Sequence, residues 1–109
     1  MATLYVTAAI GAVGAGSDSG RIEIGTPFDS MQRTVTGVKC SNTTKARNVI
    51  LDSNGAPQVT TDLGVLGQLN EFLPCSFVVP NNIKMSFTVK DTGAGALAAG
   101  DFVTLRYEI

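Results

Sequence analysis

The sequence contains no histidine, which removes Ser-His-Asp and Cys-His hydrolysis together with the common transition-metal ligand sets. Its two cysteines, Cys40 and Cys75, belong to no C-x-x-C pair, so thiolate metal binding is not expected either. Two readings of them stay open. A disulfide would close a loop of about 35 residues and contribute ~3 to 4 kcal/mol; an intracellularly assembled protein favours two free thiols. The acids Asp18, Asp62, Glu71, Asp91 and Asp101 stand singly in loops or at strand ends, where carboxylates ordinarily accept from turn amides. A glycosidase pair, distant in sequence and close in space, is the one catalytic arrangement left open. So small a domain, with no signal of a substrate cleft, leads us to expect no enzyme, and no catalytic, cofactor or metal residue is assigned.

Binding motifs are equally sparse. Gly11, Gly14 and Gly16 do not have the G-x-G-x-x-G spacing, and the alternating stretch after them offers no helix N-terminus to a phosphate. Asn42-Thr43-Thr44 is a glycosylation sequon that matters only in a secreted chain. There is no tryptophan, and with Tyr107 on the inward face of its strand, Tyr5 is left as the lone outward aromatic for a sugar to stack on. No Asp-rich calcium loop occurs. The stretches Gly11 to Gly20 (GAVGAGSDSG) and Thr92 to Gly100 (TGAGALAAG) are rich in glycine and alanine. They read either as linkers between strands or as flat surfaces that order against a partner. Under the second reading the contacts are Ala2, Thr3, Leu4 and Tyr5 at the N-terminus, with Gly14, Gly16, Gly93, Gly95 and Leu97 in the loops.

The elements that would position these residues are strands. From Asp101 to Ile109, Val103, Leu105, Tyr107 and Ile109 share one face while Thr104, Arg106 and Glu108 take the other, the period of a half-buried strand. Ile83, Met85, Phe87 and Val89 alternate in the same way, as do Leu4, Val6, Ala8 and Ile10. Shorter candidates are Arg21 to Ile24, Gln32 to Ser41, Arg47 to Asp52, Pro57 to Thr61 and Glu71 to Val79. Val35 and Val38 sit on opposite parities, which a bulge near Gly37 would reconcile. Asn54-Gly55 is a hairpin signal, because both residues tolerate the positive φ of a tight turn. Pro74 cannot donate to a ladder and places its strand at an edge. One helical turn around Asp62 to Leu69 completes the reading. About eight strands with turn-rich connections predict a single all-β domain over residues 1–109: an antiparallel sandwich of jelly-roll type, with an immunoglobulin-like sandwich or a small barrel as alternatives.

Composition bounds the partners. Eight basic residues against nine acidic ones give a net charge of −1, so no long-range field gathers nucleic acid or an anionic membrane. No apolar run reaches the ~18 residues of a membrane span, and the N-terminal stretch lacks the positive region of a signal peptide, which makes intracellular synthesis the expectation. Only 16% of residues are charged, against ~25% in an ordinary globular protein. Either Thr, Ser, Asn and Gly solubilise the surface, or a partner or further copies of the chain cover part of it.

In this character, and in the C-terminal pattern GALAAGDFVTLRYEI from Gly95 to Ile109, the chain resembles the capsid decoration or cement proteins of tailed bacteriophages. The likeness covers about a seventh of the chain and carries over no individual residue. It implies a virion protein, assembled in the host cytoplasm as a dimer or trimer, that binds the outer capsid surface in many copies. There it would bridge neighbouring major capsid proteins and stabilise the shell. The alternative from another class is a carbohydrate- or receptor-binding module of a fibre or adhesin, and a third is a small hydrolase.

Overall fold

The computed structural model describes residues 2–41, 47–53, 56–62, 71–91, 93 and 95–109, with the side chains at 47, 53 and 56–62 outside the description. Eight strands follow one another: β1 (Thr3–Ile10), β2 (Ile22–Ile24), β3 (Arg33–Cys40), β4 (Arg47–Ser53), β5 (Ala56–Asp62), β6 (Leu73–Val79), β7 (Met85–Asp91) and β8 (Asp101–Glu108). Each overlaps a stretch whose alternation predicts it. Of the helical turn expected around Asp62 to Leu69, Asp62 is the last residue of β5 and 63–69 lie outside the described residues, as do the sequon at Asn42 and the turn residues Asn54-Gly55.

Pairing is nested. β4 runs antiparallel to β5, β3 to β6, β2 to β7 and β1 to β8, so the chain is one long hairpin whose innermost pair, Ser53 with Ala56, flanks Asn54-Gly55. Rolling that ribbon up joins β3 to β8 and β4 to β7. Two four-stranded sheets result, ordered β1-β8-β3-β6 and β2-β7-β4-β5. This is the jelly roll, two Greek keys closed into a sandwich. Pro74 lies on β6, an edge strand, where its missing N–H removes no ladder bond.

The core forms where the two inner faces meet. The first sheet contributes Ile10, Val35, Val38, Phe77, Val79, Val103, Leu105 and Tyr107, and the second Ile24, Val49, Leu51, Met85, Phe87 and Val89, all buried. Val35 and Val38 both point inward because the register shifts between Val35 and Gly37 against β6 and β8 alike. The bulge expected at Gly37 is therefore present, and it re-aims half a strand. With a radius of gyration of 13.0 Å, the chain has the ~13 Å size expected for one domain of ~100 residues.

No disulfide joins Cys40 to Cys75, and strand register rules out their pairing. Val38 lies opposite Leu73, so Cys75 is four residues along β6 from the point facing Cys40, or ~13 Å at ~3.3 Å per residue, against the ~4.4–6.8 Å a disulfide spans. Burial pushes the Cys75 thiol above its usual 9.0, and the nearby Arg106 charge offsets part of the rise. Because the folded-state value is the higher one, the thiol's contribution to stability is intact at neutral pH and is lost as the pH climbs through the alkaline range. We expect iodoacetamide at pH 7.5 to label neither cysteine readily in the folded chain and both in urea, with no 2 Da mass deficit; rapid labelling of native Cys75 would contradict this burial.

Candidate functional site

Alternation leaves the outer face of the first sheet to Thr3, Tyr5, Thr7 and Ala9 from β1, Phe102, Thr104, Arg106 and Glu108 from β8, Thr34, Thr36 and Lys39 from β3, and Pro74, Ser76 and Val78 from β6. Among the described residues four large hydrophobic side chains are exposed, and three of them lie here: Tyr5 at 61%, Val78 at 50% and Phe102 at 46%. A solvated sheet face is ordinarily polar, so this grouping distinguishes the face from the rest of the surface.

Its centre is organised around Arg106. Cross-strand register sets Arg106 between Tyr5 on β1 and Gly37 on β3. A Cβ built on Gly37 would come to 3.0 Å from Arg106 Cζ and Nη2, so any larger residue there would push the guanidinium off its place on the β3 backbone. Arg106 Nε donates to Thr36 Oγ1 at 3.1 Å and Nη2 to the Thr36 carbonyl at 2.9 Å. The Phe72 ring lies 5.2 Å from Cζ and 5.6 Å from Lys39 Nζ, both within cation–π range. It also meets Tyr5, 5.6 Å centroid to centroid and tilted by 47°, although β6 and β1 are opposite edges of the sheet. Phe72 therefore reaches inward across β3 and β8. Thr7 and Thr104 share a hydroxyl hydrogen bond of 2.9 Å in the next row.

The contact residues read from sequence are split by the fold. Ala2, Thr3 and Tyr5 are exposed, while Leu4 is half-buried toward the core. Gly14, Gly16 and Gly93 are exposed, Gly95 is half-buried, and Leu97 is 97% removed from solvent. Leu97 is thus a core residue and no surface contact: its N–H and carbonyl exchange hydrogen bonds of 2.8 Å with Val13, which locks the two glycine-rich loops together. These loops follow Ile10 and precede Asp101, and they lie ~23 Å along β1 from the Ala2 end at ~3.3 Å per residue.

Asp91 fastens the same loops, accepting from Gly16 N–H at 2.9 Å and from Gly93 N–H at 3.0 Å. Asp91→Ala is expected to destabilise by about 1–3 kcal/mol, leaving two amides without their acceptor. Hydrogen exchange at Gly16 and Gly93 should accelerate well beyond the global change; unchanged exchange there would show that Asp91 does not hold the loops.

Four other acids hold turns and strands together. Asp18 accepts from Gly20 N–H at 2.8 Å, and Asp101 from Ser41 Oγ at 2.9 Å. Asp52 on β4 receives Arg21 Nε at 3.1 Å and the hydroxyl of Ser86, and Arg21 also meets Glu23 at 2.8 Å. The Asp52 hydrogen bond, with the two carboxylate charges, holds the Arg21 guanidinium above its ordinary value. Among the described residues no group of three or more Cys, Asp or Glu side chains converges as a metal site.

Sequence reasoning placed Tyr5 and Arg106 outward but missed Phe72, Lys39, Val78 and Phe102 as companions. The signal for Phe102 and Val78 was present: each is an apolar residue on the outward parity of a strand whose other parity is already apolar. Phe72 precedes its strand, so no parity marks it.

The sequence matches no protein-family model and no curated protein. Among solved structures, the chain is similar to a family two carbohydrate esterase from Cellvibrio japonicus, with 13% identity and a TM-score of 0.36 over 95% of this chain. It spans 33% of that chain's length, and a likeness of this degree carries no argument about activity.

Proposed function

We propose that the chain is a non-enzymatic structural module of a virus particle, which binds the outside of a protein shell in many copies and bridges neighbouring major capsid subunits. The observation that carries the reading is the exposure of Tyr5, Val78 and Phe102 on one face of the first sheet, with the Phe72 ring in reach of two cations at its centre. Exposed apolar groups of this kind mark contact surfaces, and the low charge of the whole chain agrees with a surface that is partly covered in use. The jelly roll is an architecture that capsid proteins and lectins share, so it is compatible with the reading without selecting it.

Magnitudes fit a multivalent role. Four strands ~4.8 Å apart and eight residues of ~3.3 Å present roughly 500 Å², below the ~800 Å² per partner of a standard stable interface. One copy would therefore hold weakly, and regular placement on a symmetric shell, with association into dimers or trimers, would supply the avidity. Cosedimentation with purified phage shells tests this: saturable binding at a fixed stoichiometry, with shells more resistant to heat, is expected. A strictly monomeric protein that never joins a particle overturns it.

The exposed Tyr5 ring beside Phe72 favours a second reading, a carbohydrate- or receptor-binding module. Reproducible hits on a glycan array, without shell binding, would establish that one instead.

A further inference from the structure

We propose that the outer face of the first sheet docks an extended acidic segment of a partner protein, with carboxylates two residues apart received by Arg106 and Lys39 over the Phe72 ring. This deepens the binding-face reading above and rests on it.

The argument begins with the unused valences of Arg106. Thr36 engages the Nε and Nη2 side of the guanidinium, and Nη1 makes no hydrogen bond among the described residues. The end-on Nη1/Nη2 edge therefore remains, and that edge matches a carboxylate in bidentate fashion. The group is also held still. Gly37 lies close beneath it, where a Cβ would come to 3.0 Å, Thr36 fixes one side and the Phe72 ring packs at 5.2 Å, so little side-chain freedom is left to lose on binding.

Lys39 supplies the second charge. It lies opposite Thr104, one outward position along β8 from Arg106, which sets the two strand positions diagonally at ~7–8 Å, and both charged ends reach the same Phe72 ring. Carboxylates at i and i+2 of an extended segment are ~6.6–6.8 Å apart and project to the same side. The ion pairs formed among the described residues use Arg21 and Arg33, never Lys39 or Arg106; Glu108 shares the face but pairs with neither cation, so the two positive charges exceed the one negative charge beside them.

A polypeptide fits better than a sugar acid. The Tyr5 and Phe72 rings are tilted by 47° and form no flat platform, and the exposed apolar groups Val78 and Phe102 lie toward opposite ends of the face, ~20 Å apart along the strand direction at ~3.3 Å per residue, a span that an extended segment covers and a single sugar ring does not.

The test uses the intact chain and amide chemical-shift titration with three probes: an alternating glutamate–serine octapeptide, a block peptide of the same composition, and trigalacturonate. Saturable shifts at Tyr5, Thr36, Lys39 and Thr104 are expected with the alternating peptide. Lys39→Glu should weaken its binding about fivefold to tenfold, since a favourable pair becomes a repulsive one. Gly37→Ala, which displaces the guanidinium, should weaken it while Lys39 stays in place; if that variant does not fold, Lys39→Glu on its exposed strand face still decides the matter. No saturable shift, equal affinity of wild type and Lys39→Glu, equal affinity for the block peptide, or trigalacturonate binding where the peptide does not bind would each overturn the proposal. Shell cosedimentation separates the two readings. Shells bound equally by wild type and Lys39→Glu would preserve the virion role and remove the acidic docking, whereas peptide binding without shell binding would do the reverse.

Discussion

Replacing Arg33 with alanine is expected to remove about 3–5 kcal/mol of stability, the usual result of breaking a buried ion pair from one side. Arg33 is the largest side chain in the fold with no solvent exposure, and its donors go to loop acceptors. Nε donates to the Met31 carbonyl at 2.8 Å, Nη1 to Asp29 Oδ1 at 2.9 Å, and Nη2 to the carbonyls of Asp29 at 3.2 Å and Pro80 at 3.0 Å, with Ile83 also accepting. The turn it grips is pre-shaped. Phe28 N–H donates to Thr26 Oγ1 at 3.2 Å and Thr26 N–H to Asp29 Oδ2 at 3.1 Å, a reciprocal arrangement of the capping-box kind. Asn82, at φ 63°, donates its N–H to the Asp29 carbonyl at 2.8 Å. One guanidinium thus ties the β2–β3 loop to the β6–β7 loop across the same end of the sandwich.

Truncation would take the donor from the carbonyls of Met31, Pro80 and Ile83 and leave the Asp29 carboxylate, still bonded to Thr26, without its cation, and each such loss carries about 1–3 kcal/mol. For a domain whose total stability is ~5–15 kcal/mol, urea denaturation should show a sharply lower midpoint. Arg33→Lys should be intermediate, because an ammonium retains the charge but not the fork. A midpoint for Arg33→Ala within experimental error of wild type would refute the assignment of Arg33 as the tie between these loops.

The second large effect belongs to Phe87. It is fully buried on β7, between Ile22 on β2 and Leu51 on β4 in the register, and faces the inner side of the first sheet. Phe87→Ala should destabilise by about 3–5 kcal/mol, the transfer term plus a cavity that rigid sheets on both sides cannot close. Phe87→Leu, which refills most of the space, should lose about a third of that. Equal losses for the two substitutions would mean that the sheets collapse around the vacancy, and the packing account would then be wrong.

These residues show what the sequence made readable. Strand positions followed from parity, because a sandwich with one wet face per sheet imposes period two on every strand; Val103, Leu105 and Tyr107 illustrate it. Gly37 was readable as a bulge because it separates two valines that must face one way. Arg33 was not. A charged residue at the first position of a strand looks like an ordinary surface residue, and only the convergence of Asp29, Pro80 and Ile83, up to 50 positions distant, makes it a core residue. The outer face of the first sheet was half readable: outward parity marked Tyr5 and Arg106, but their meeting with Phe72 depends on sheet order, which short-range pattern does not encode. Leu97 failed for the opposite reason, since an apolar residue amid glycine and alanine reads as exposed until Val13 is found opposite it.

The nested pairing also constrains how the chain reaches this structure. Bringing Thr3 to Glu108 directly would close a loop of about a hundred residues, whereas each pairing formed outward from Ser53 and Ala56 closes only a short connection and so forfeits less chain entropy. Folding is therefore expected to run from the middle of the sequence toward its two ends, with β4 and β5 amides protected in pulse-labelled exchange before those of β1 and β8. Since β8 lies between β1 and β3, the first sheet is in two pieces until that last strand enters, and its unpaired edges stay open to wrong partners throughout that interval.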